Sequence, residues 1–296
     1  MFDRFYPTMA WSEYRHIWPH AAQSHFVKAG GIDWHVQLSG QGPGLLLLHG
    51  TGSGSFSWRG LMPLLSQHFR VIAPDLPGHA FTSRGGGDSL SLQGMAEGLR
   101  ALLLHLNITP TVIAGHSAGA AIGAHMVLHQ AELAQTHLMG LNPAWLPIPG
   151  WPSWIFGPSA KLAALNPLSA WATAKMAKRP ALLAKSIAQT GSSLDEQGLA
   201  LYRCVFAHPG HVHSVLAMMA AWKLPPLSNA LHRMVNPVSI LVGSNDQTVP
   251  PPLAHEACRL MPKAKLHVQP HLGHLAHEED PQATAALMVK FYGLAD

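Results

Sequence analysis

Residues 111–120 of the chain read Thr111-Val112-Ile113-Ala114-Gly115-His116-Ser117-Ala118-Gly119-Ala120, and this stretch decides the predicted fold. Its first four residues suit a buried strand, and the small residues from Ala120 to Ala124 suit a helix lying close against a sheet. Between them is the pattern Gly-x-Ser-x-Gly, in which Gly115 and Gly119 leave space for a very tight turn. The stretch therefore predicts a strand, a sharp turn and a helix, with the Ser117 hydroxyl held above the carboxyl edge of the sheet.

The pattern Gly-x-Ser-x-Gly is weak evidence alone, because it recurs by chance in loops rich in Gly and Ser. Its flanks supply the context that the motif requires, an apolar strand before it and a helix of small residues after it. The start of such a helix directs free backbone N–H groups toward the serine, which suits a developing oxyanion. We therefore interpret Ser117 as a candidate nucleophile.

The composition predicts a globular protein with a large core, since 48% of the 296 residues are hydrophobic and 11% are charged. One large domain with an insertion, or two small domains, is expected. No apolar run approaches the roughly 18 residues of a membrane span, and the N-terminus lacks a secretory signal pattern. Two cysteines, Cys204 and Cys258, are too few for a disulfide framework. We expect a cytoplasmic protein.

Short apolar runs alternate with helical patterns along the chain. The runs suited to strands buried on both faces are Leu45–His49, Val71–Ala73, Leu138–Leu141, Ser239–Val242 and Leu266–Val268. A hairpin is predicted between His25 and Leu38, around the turn pair Gly30-Gly31. The alternation predicts an α/β fold with a mostly parallel central sheet and helices on both faces.

The predicted organisation has three parts. Residues 1–24 form an N-terminal arm, residues 25–142 and 236–296 form the core, and residues 143–235 form a helical lid inserted over the carboxyl edge of the sheet. The lid is distinct in composition, because it holds five of the nine tryptophans and eight Lys or Arg against two acids. The net charge of +4 therefore belongs mainly to this segment.

A serine needs a base, and the base needs an acid that fixes its tautomer. Asp246 follows the strand at Leu241, and His274 follows the strand at Leu266. Ligands of such sheets bind at the carboxyl ends of the strands, and the chain order Ser117, Asp246, His274 is the order expected of this architecture. The sequence therefore predicts a catalytic triad of these three residues, with the backbone N–H groups of Thr51 and Ala118 as oxyanion hole.

Other residues compete for the role of acid. Asp75 also follows a strand, but its Asp-x-Pro-Gly-His context better suits a loop brace. Asn142 stands at another position where such an acid occurs, but it carries no charge. Glu279 and Asp280 follow His274 too closely to reach its far nitrogen, and they are expected to cap the last helix.

Two further kinds of binding site, for a metal and for a nucleotide, are weighed against the residues. The 21 histidines raise the alternative of a metal site, within the sets His271, His274 and His277 or His208, His211 and His213. No carboxylate or thiolate completes either set at a familiar ligand spacing, so no metal is expected. The Gly-rich stretch from Gly50 to Gly54 lacks the Lys-Ser/Thr of a phosphate loop, so neither a nucleotide cofactor nor a nucleic-acid partner is expected.

These motifs resemble the α/β-hydrolase family from about residue 25 onward. Three segments resemble one subgroup, the magnesium-chelatase accessory proteins of bacteriochlorophyll biosynthesis. They are Leu45-Leu-Leu-Leu-His-Gly-Thr-Gly-Ser-Gly, Ala73-Pro-Asp-Leu-Pro-Gly-His and Gly115-His-Ser-Ala-Gly-Ala. One departure is Ala80, where relatives often have Gly. The resemblance implies a role around magnesium insertion into a porphyrin, as part of photosynthetic pigment synthesis.

The sequence thus predicts a serine hydrolase without a cofactor, acting on an ester or related acyl bond of an apolar substrate. The alternative is a non-catalytic accessory protein that binds porphyrin or magnesium chelatase and retains the triad. Lid residues Trp145, Trp154 and Met218 are candidates for contact with an apolar substrate such as a porphyrin. The Trp-rich, basic lid could equally pack on the body, or touch an anionic membrane surface, which would make the protein peripheral to the inner or photosynthetic membrane.

Overall fold

The computed structural model describes residues 6–148 and 166–293, which are built around an eight-stranded sheet. The strands are β1 (Ser24–Ala29), β2 (Ile32–Ser39), β3 (Gly44–Leu48), β4 (Arg70–Pro74), β5 (Val112–His116), β6 (His137–Leu141), β7 (Val238–Gly243) and β8 (Ala264–Gln269). Their order in the sheet is β1-β2-β4-β3-β5-β6-β7-β8. β2 pairs antiparallel with both β1 and β4, whereas β3 to β8 run parallel. The predicted mostly parallel sheet is confirmed.

Helices connect the parallel strands and cover both faces of the sheet. In the described ranges they are α1 (Trp11–Tyr14), α2 (Met62–Leu65), α3 (Leu92–His105), α4 (Ala118–His129), α5 (Pro167–Ala177), α6 (Pro180–Ala188), α7 (Glu196–Phe206), α8 (Pro209–Ala221), α9 (Pro225–Ala230), α10 (Pro251–Leu260), α11 (Ala276–Glu279) and α12 (Pro281–Tyr292). The α/β class predicted from the alternating pattern is therefore confirmed.

The continuous apolar strands supply two separate cores, because successive side chains of a strand point to opposite faces. In β3, Leu46 and Leu48 pack on the face covered by α3, α4 and α10. Leu45 and Leu47 pack on the other face, which α2 and α12 cover. All four leucines are fully buried. Burial on both faces fixes the sheet that carries the candidate site on its carboxyl edge.

The N-terminal arm packs through a buried tryptophan. Trp18 is only 3% exposed, and its indole N–H donates to Ser55 Oγ at 3.3 Å. Its ring contacts Phe56 and Phe81 edge-on, with centroids 5.3 and 4.6 Å away. The arm therefore supports the loop that follows β3, which carries the predicted oxyanion residue Thr51.

Residues 143–235, called the lid segment below, join β6 to β7 and contain α5 to α9. Pro180 lies in the first turn of α6, where a proline interrupts no helical hydrogen bond. Leu183 of α6 and Val205 of α7 pack into a small core together with Trp18 of the arm. In the two described ranges, no helix is both long and apolar enough to cross a bilayer.

Candidate active site

Ser117 lies at the turn between β5 and α4, with φ +52° and ψ −115°. This backbone conformation is strained for a residue with a side chain. A Cβ on Gly115 would lie 2.4 Å from the Ala120 nitrogen, and one on Gly119 would lie 2.1 Å from the Leu48 carbonyl oxygen. The two glycines are thus required by close backbone contacts, as the sequence pattern predicts, and the turn leaves Ser117 half-buried.

Asp246 and His274, each from the loop after its strand, are hydrogen-bonded to each other. The His274 Nδ1–H donates to Asp246 Oδ2 at 2.8 Å, and both residues are buried. Asp246 Oδ1 accepts the backbone N–H groups of Thr248 and Val249, each at 2.8 Å. These bonds hold the carboxylate fixed and leave Nε2 of His274 as the ring's free acceptor.

His116, the residue before Ser117, contacts His274 and so places it next to the turn that carries Ser117. His116 Nε2–H donates to the carbonyl oxygen of His274 at 2.9 Å, and the two rings lie 4.7 Å apart between centroids. Within the described ranges, no hydrogen bond joins the Ser117 hydroxyl to His274. Such bonds are often long without substrate and shorten in the reacting complex.

Asn142 is a further polar contact of Asp246, and the sequence analysis assigns it no role because it carries no charge. It follows β6 with φ +47°, a left-handed conformation that Asn tolerates. Its buried amide donates to Asp246 Oδ2 at 2.7 Å and to the Gly273 carbonyl oxygen at 3.3 Å. The same carboxylate oxygen therefore accepts from both Asn142 and His274. The signal was present in the sequence, since Asn142 stands directly after a predicted strand.

A short piece of the lid segment joins the acid loop to the base loop. The carbonyl oxygen of Thr190 accepts the backbone N–H groups of Gln247 at 3.1 Å and of His274 at 3.2 Å. Two residues later, Ser192 Oγ accepts the Leu275 N–H at 2.8 Å. Residues 190–192 thus hold the loops of Asp246 and His274 at a fixed separation. No local sequence pattern marks these residues.

The predicted oxyanion loop runs directly past Ser117. A Cβ on Gly50 would lie 2.7 Å from Nδ1 of His116 and 3.3 Å from the Ser117 Cβ, so this close approach favours glycine. Thr51 is exposed beside it, and Ala118 is the first residue of α4. The preceding His49 braces the loop, because its Nδ1–H donates to the Gly50 carbonyl oxygen at 2.8 Å and its Nε2 accepts the Leu76 N–H at 2.9 Å.

Two of the three lid residues predicted to contact substrate, Trp145 and Met218, are buried in the protein. Trp145 is fully buried, and its indole N–H donates to the Ala120 carbonyl oxygen at 2.8 Å, so it braces α4. Met218 is 1% exposed and packs in the same core as the α4 residues. In this conformation both side chains have packing roles. Trp154 lies outside the described residues.

Several buried histidines near the site are neutral. Burial, together with neighbouring His277 and His274, holds the pKa of His116 well below its usual value. Burial lowers the pKa of His277 and of His211 to about 3. His211, in α8, also links the lid segment to the oxyanion loop, because its Nε2–H donates to the Gly52 carbonyl oxygen at 3.2 Å. At neutral pH these rings add no charge to the edge that carries Ser117.

A second chain of Ser, His and Asp side chains lies on the other side of the oxyanion loop. His35 Nδ1–H donates to Asp75 Oδ2 at 2.7 Å, and the Ser24 hydroxyl donates to His35 Nε2 at 2.9 Å. Asp75 also accepts the Ser55 N–H at 2.6 Å and the Phe81 N–H at 3.3 Å. Burial works to raise the pKa of Asp75, but these contacts outweigh it and the pKa is lowered. The arrangement fits the loop-bracing role expected of Asp75.

A buried polar network ties the core to the lid segment beside the site. Arg59 forms an ion pair with Glu278 and donates to Asp195 Oδ1 at 2.9 Å. The Tyr202 hydroxyl donates to Glu278 Oε1 at 2.8 Å and lies 3.3 Å from Ser53 Oγ. Burial raises the pKa of Glu278 to about 7, although Arg59 works to lower it. The network connects α7, α11 and the oxyanion loop.

Among the described residues, no group of three His, Cys, Asp or Glu is arranged so that it could hold a metal ion. Two histidines of the sets named for such a site have other contacts. His211 bonds to backbone groups of Gly52 and Ala80, and His213 stacks on Tyr6 with ring centroids 4.1 Å apart. The polar groups at the carboxyl edge are instead arranged around Ser117 and Asp246.

Comparisons with known proteins agree with this architecture. The family model described as "Alpha/beta hydrolase family" matches residues 45–287. The "Magnesium-chelatase 30 kDa subunit" of Rhodobacter capsulatus is 36% identical over 263 residues, which cover 88% of this chain and 91% of that protein. The "Pyrrolizixenacetamide deacetylase" of Xenorhabdus hominickii is 26% identical over 273 residues, 90% of this chain and 96% of that protein. The structure of the epoxide hydrolase CorEH superimposes with a TM-score of 0.74 at 24% identity, over 91% of this chain and 98% of that one, a likeness of fold.

Proposed function

Because the chain belongs to the alpha/beta hydrolase family, we propose that it is a serine hydrolase acting on an ester or related acyl bond of an apolar substrate. The observation that carries the proposal is the hydrogen bond of 2.8 Å between His274 and Asp246, at the edge of the sheet where Ser117 stands at a strained turn. A carboxylate, an imidazole and a serine in this chain order are the groups that acyl transfer requires.

In the proposed mechanism, Nε2 of His274 takes the proton of the Ser117 hydroxyl as the oxygen attacks the substrate carbonyl. Asp246 holds the imidazole in the required tautomer and stabilises the imidazolium that forms. His274 then gives the proton to the leaving group, which departs and leaves an acyl group on Ser117. Water, activated by the same imidazole, releases the acid and restores the serine.

The backbone N–H groups of Thr51 and Ala118 are the proposed donors to the oxyanion. Their candidacy is supported by the close passage of Gly50 beside Ser117 and by the position of Ala118 at the start of α4. Loss of one such donor typically lowers the rate by ~10² to 10³. The strained turn and the bonds of His49 prepare this geometry before substrate binds, so little reorganisation is required during the reaction.

The physiological role that we propose is that of an accessory factor in magnesium insertion into a tetrapyrrole. Its support is the 36% identity to a protein named as a magnesium-chelatase subunit. The basic, Trp-containing lid segment suits a flat apolar ring with carboxylate substituents. The same likeness favours a second candidate function, a non-catalytic protein that binds porphyrin or the chelatase and retains the triad.

A fluorophosphonate probe tests the nucleophile, because it reacts covalently with activated serines. We expect labelling of the native protein and loss of labelling in Ser117→Ala, measured by intact-protein mass spectrometry. Ser24→Ala is the matched control, since Ser24 also bonds to a His–Asp pair but should not be activated. Labelling that persists in Ser117→Ala would contradict the hydrolase proposal. An unlabelled native protein that still promotes magnesium insertion would favour the accessory function.

Replacement of Asn142 tests the bond to the acid. Asn142→Gly keeps the left-handed backbone unstrained but removes the amide, and we expect kcat to fall about 10- to 100-fold, the typical worth of a hydrogen bond to a charged group. Asn142→Asp places a second carboxylate against Asp246, so the pair should retain one proton to higher pH. The acidic limb of the kcat profile should then move to higher pH in both variants, and further in Asn142→Asp than in Asn142→Gly.

The pH dependence of kcat shows whether Asn142 positions Asp246 or only supports the fold. A purely structural Asn142 would lower the melting temperature in both variants and leave the pH of half-maximal kcat unchanged in both. That result would show that the amide does not act through Asp246.

A further inference from the structure

Helix α5 in the lid segment exposes large apolar side chains to solvent. Leu168, Trp171 and Met176 are 73%, 55% and 58% exposed, whereas Ala170 and Ala174 on the opposite side are buried. The helix is thus attached to the protein by its small residues and presents its large ones outward. Single exposed apolar residues are ordinary, but three on one helix of eleven residues are a feature of interaction surfaces.

The charged residues of α5, of α6 and of the turn between them all have the same sign. Lys175, Lys178, Arg179 and Lys185 are exposed on α5, on the turn after it and on α6. Residues 166–194 contain no Asp or Glu. Among the described residues, none of the four cations forms an ion pair. The exposed surface of α5 and α6, named the α5–α6 face below, is therefore both apolar and uniformly basic.

We propose that the α5–α6 face docks on the surface of an anionic lipid bilayer. Tryptophan prefers the boundary between headgroups and acyl chains, where Trp171 would lie. Leu168 and Met176 would enter the acyl boundary beside it, while the cations would contact anionic headgroups. An anionic bilayer thus offers a matching region both for the apolar side chains and for the basic side chains of the face.

The composition of the face favours a bilayer over an acidic protein. Three of its four cations are lysines, and lysine is a compact charge without the fixed geometry of a guanidinium. Protein interfaces are depleted in Lys and enriched in Arg and Tyr. Lipid phosphates form a diffuse layer of negative charge that does not require a binding partner of fixed geometry. Lysine side chains are therefore well suited to contact it.

The α5–α6 face is connected along the chain to the loops of the candidate site. Helix α6 continues directly into residues 190–192, which bond the loops of Asp246 and His274. The docking itself does not depend on hydrolysis, because it concerns exposed residues alone.

Cosedimentation with vesicles tests the proposal. The full chain should bind vesicles of phosphatidylcholine with phosphatidylglycerol more tightly than vesicles of phosphatidylcholine alone, and high salt should weaken the binding. Lys175→Ala combined with Lys178→Ala should weaken it by about 25-fold, since each cation near an anionic surface contributes about fivefold. Leu168→Ser combined with Trp171→Ser should weaken it by about tenfold or more.

Matched controls come from elsewhere on the surface. Lys263→Ala with Lys265→Ala removes two exposed lysines, and Leu104→Ser removes an apolar side chain that is 60% exposed. Both controls should bind as the native protein does. Equal binding to both kinds of vesicle would overturn the proposal. An equal loss in the control and α5–α6 variants would overturn it as well, because the contact would then be spread over the whole protein.

Discussion

Ser117→Ala is expected to lower the turnover of an activated ester by about 10⁶-fold, provided that the triad acts as a unit. The loss is large because the variant has no nucleophile for acyl transfer, and the remaining rate would come from the oxyanion donors and from substrate binding. KM should change little, since a methyl group in place of the hydroxyl leaves the space for substrate unaltered. Steady-state hydrolysis of a chromogenic ester by the native protein and by Ser117→Ala gives both kcat and KM.

The combination with His274→Ala tests whether the two side chains act together. If Ser117 and His274 form one functional unit, the double variant should be about as slow as either single variant. Independent losses that multiply in the double variant would contradict the proposed mechanism. A loss below about 10² in Ser117→Ala would assign the observed turnover to another group.

Gly191→Ala is expected to destabilise the protein by about 3 kcal/mol or more. Gly191 has φ +82°, and an added Cβ would lie 1.9 Å from the carbonyl oxygen of Asn245, directly before Asp246. The backbone of the acid loop must move to relieve this overlap. Because Thr190 also bonds the loop of His274, the movement should separate the acid from the base and lower turnover at temperatures where the variant is folded.

Gly31→Ala is the matched control for this prediction. Gly31 has a similar φ of +75°, but an added Cβ would meet no atom within 4 Å. The control therefore measures the cost of the left-handed backbone alone, about 1–2 kcal/mol. Urea denaturation of both variants gives the comparison. Equal losses of stability would show that residues 190–192 do not constrain the acid loop.

The sequence was sufficient for the sheet and for the turn at Ser117, because both are encoded locally. Runs such as Leu45–His49 are apolar at every position, as burial on both faces requires. The close contacts of Gly115 and Gly119 explain why the turn tolerates only glycine there. Asp246 and His274 could be selected because each follows a strand, and the parallel sheet brings the ends of β7 and β8 together.

The rest depended on contacts between distant parts of the chain. Thr190 is ordinary in sequence, and its role arises because its carbonyl oxygen meets backbone groups of residues 247 and 274. Trp145 is predicted to contact substrate because tryptophans suit apolar ligands, and in this structure its indole N–H donates to the Ala120 carbonyl oxygen in α4. Composition indicates which side chains could bind a ligand, whereas packing decides which of them remain available.

The passage of residues 190–192 between the acid and base loops bears on how this architecture can be re-engineered. If the lid segment were exchanged for the corresponding segment of another hydrolase, the Thr190 carbonyl oxygen would be lost. This oxygen accepts hydrogen bonds from the loops of both Asp246 and His274. Grafts intended to alter substrate preference should therefore retain the native tripeptide and join the foreign helices on either side of it. The lid segment and the loops of Asp246 and His274 are therefore structurally coupled through Thr190.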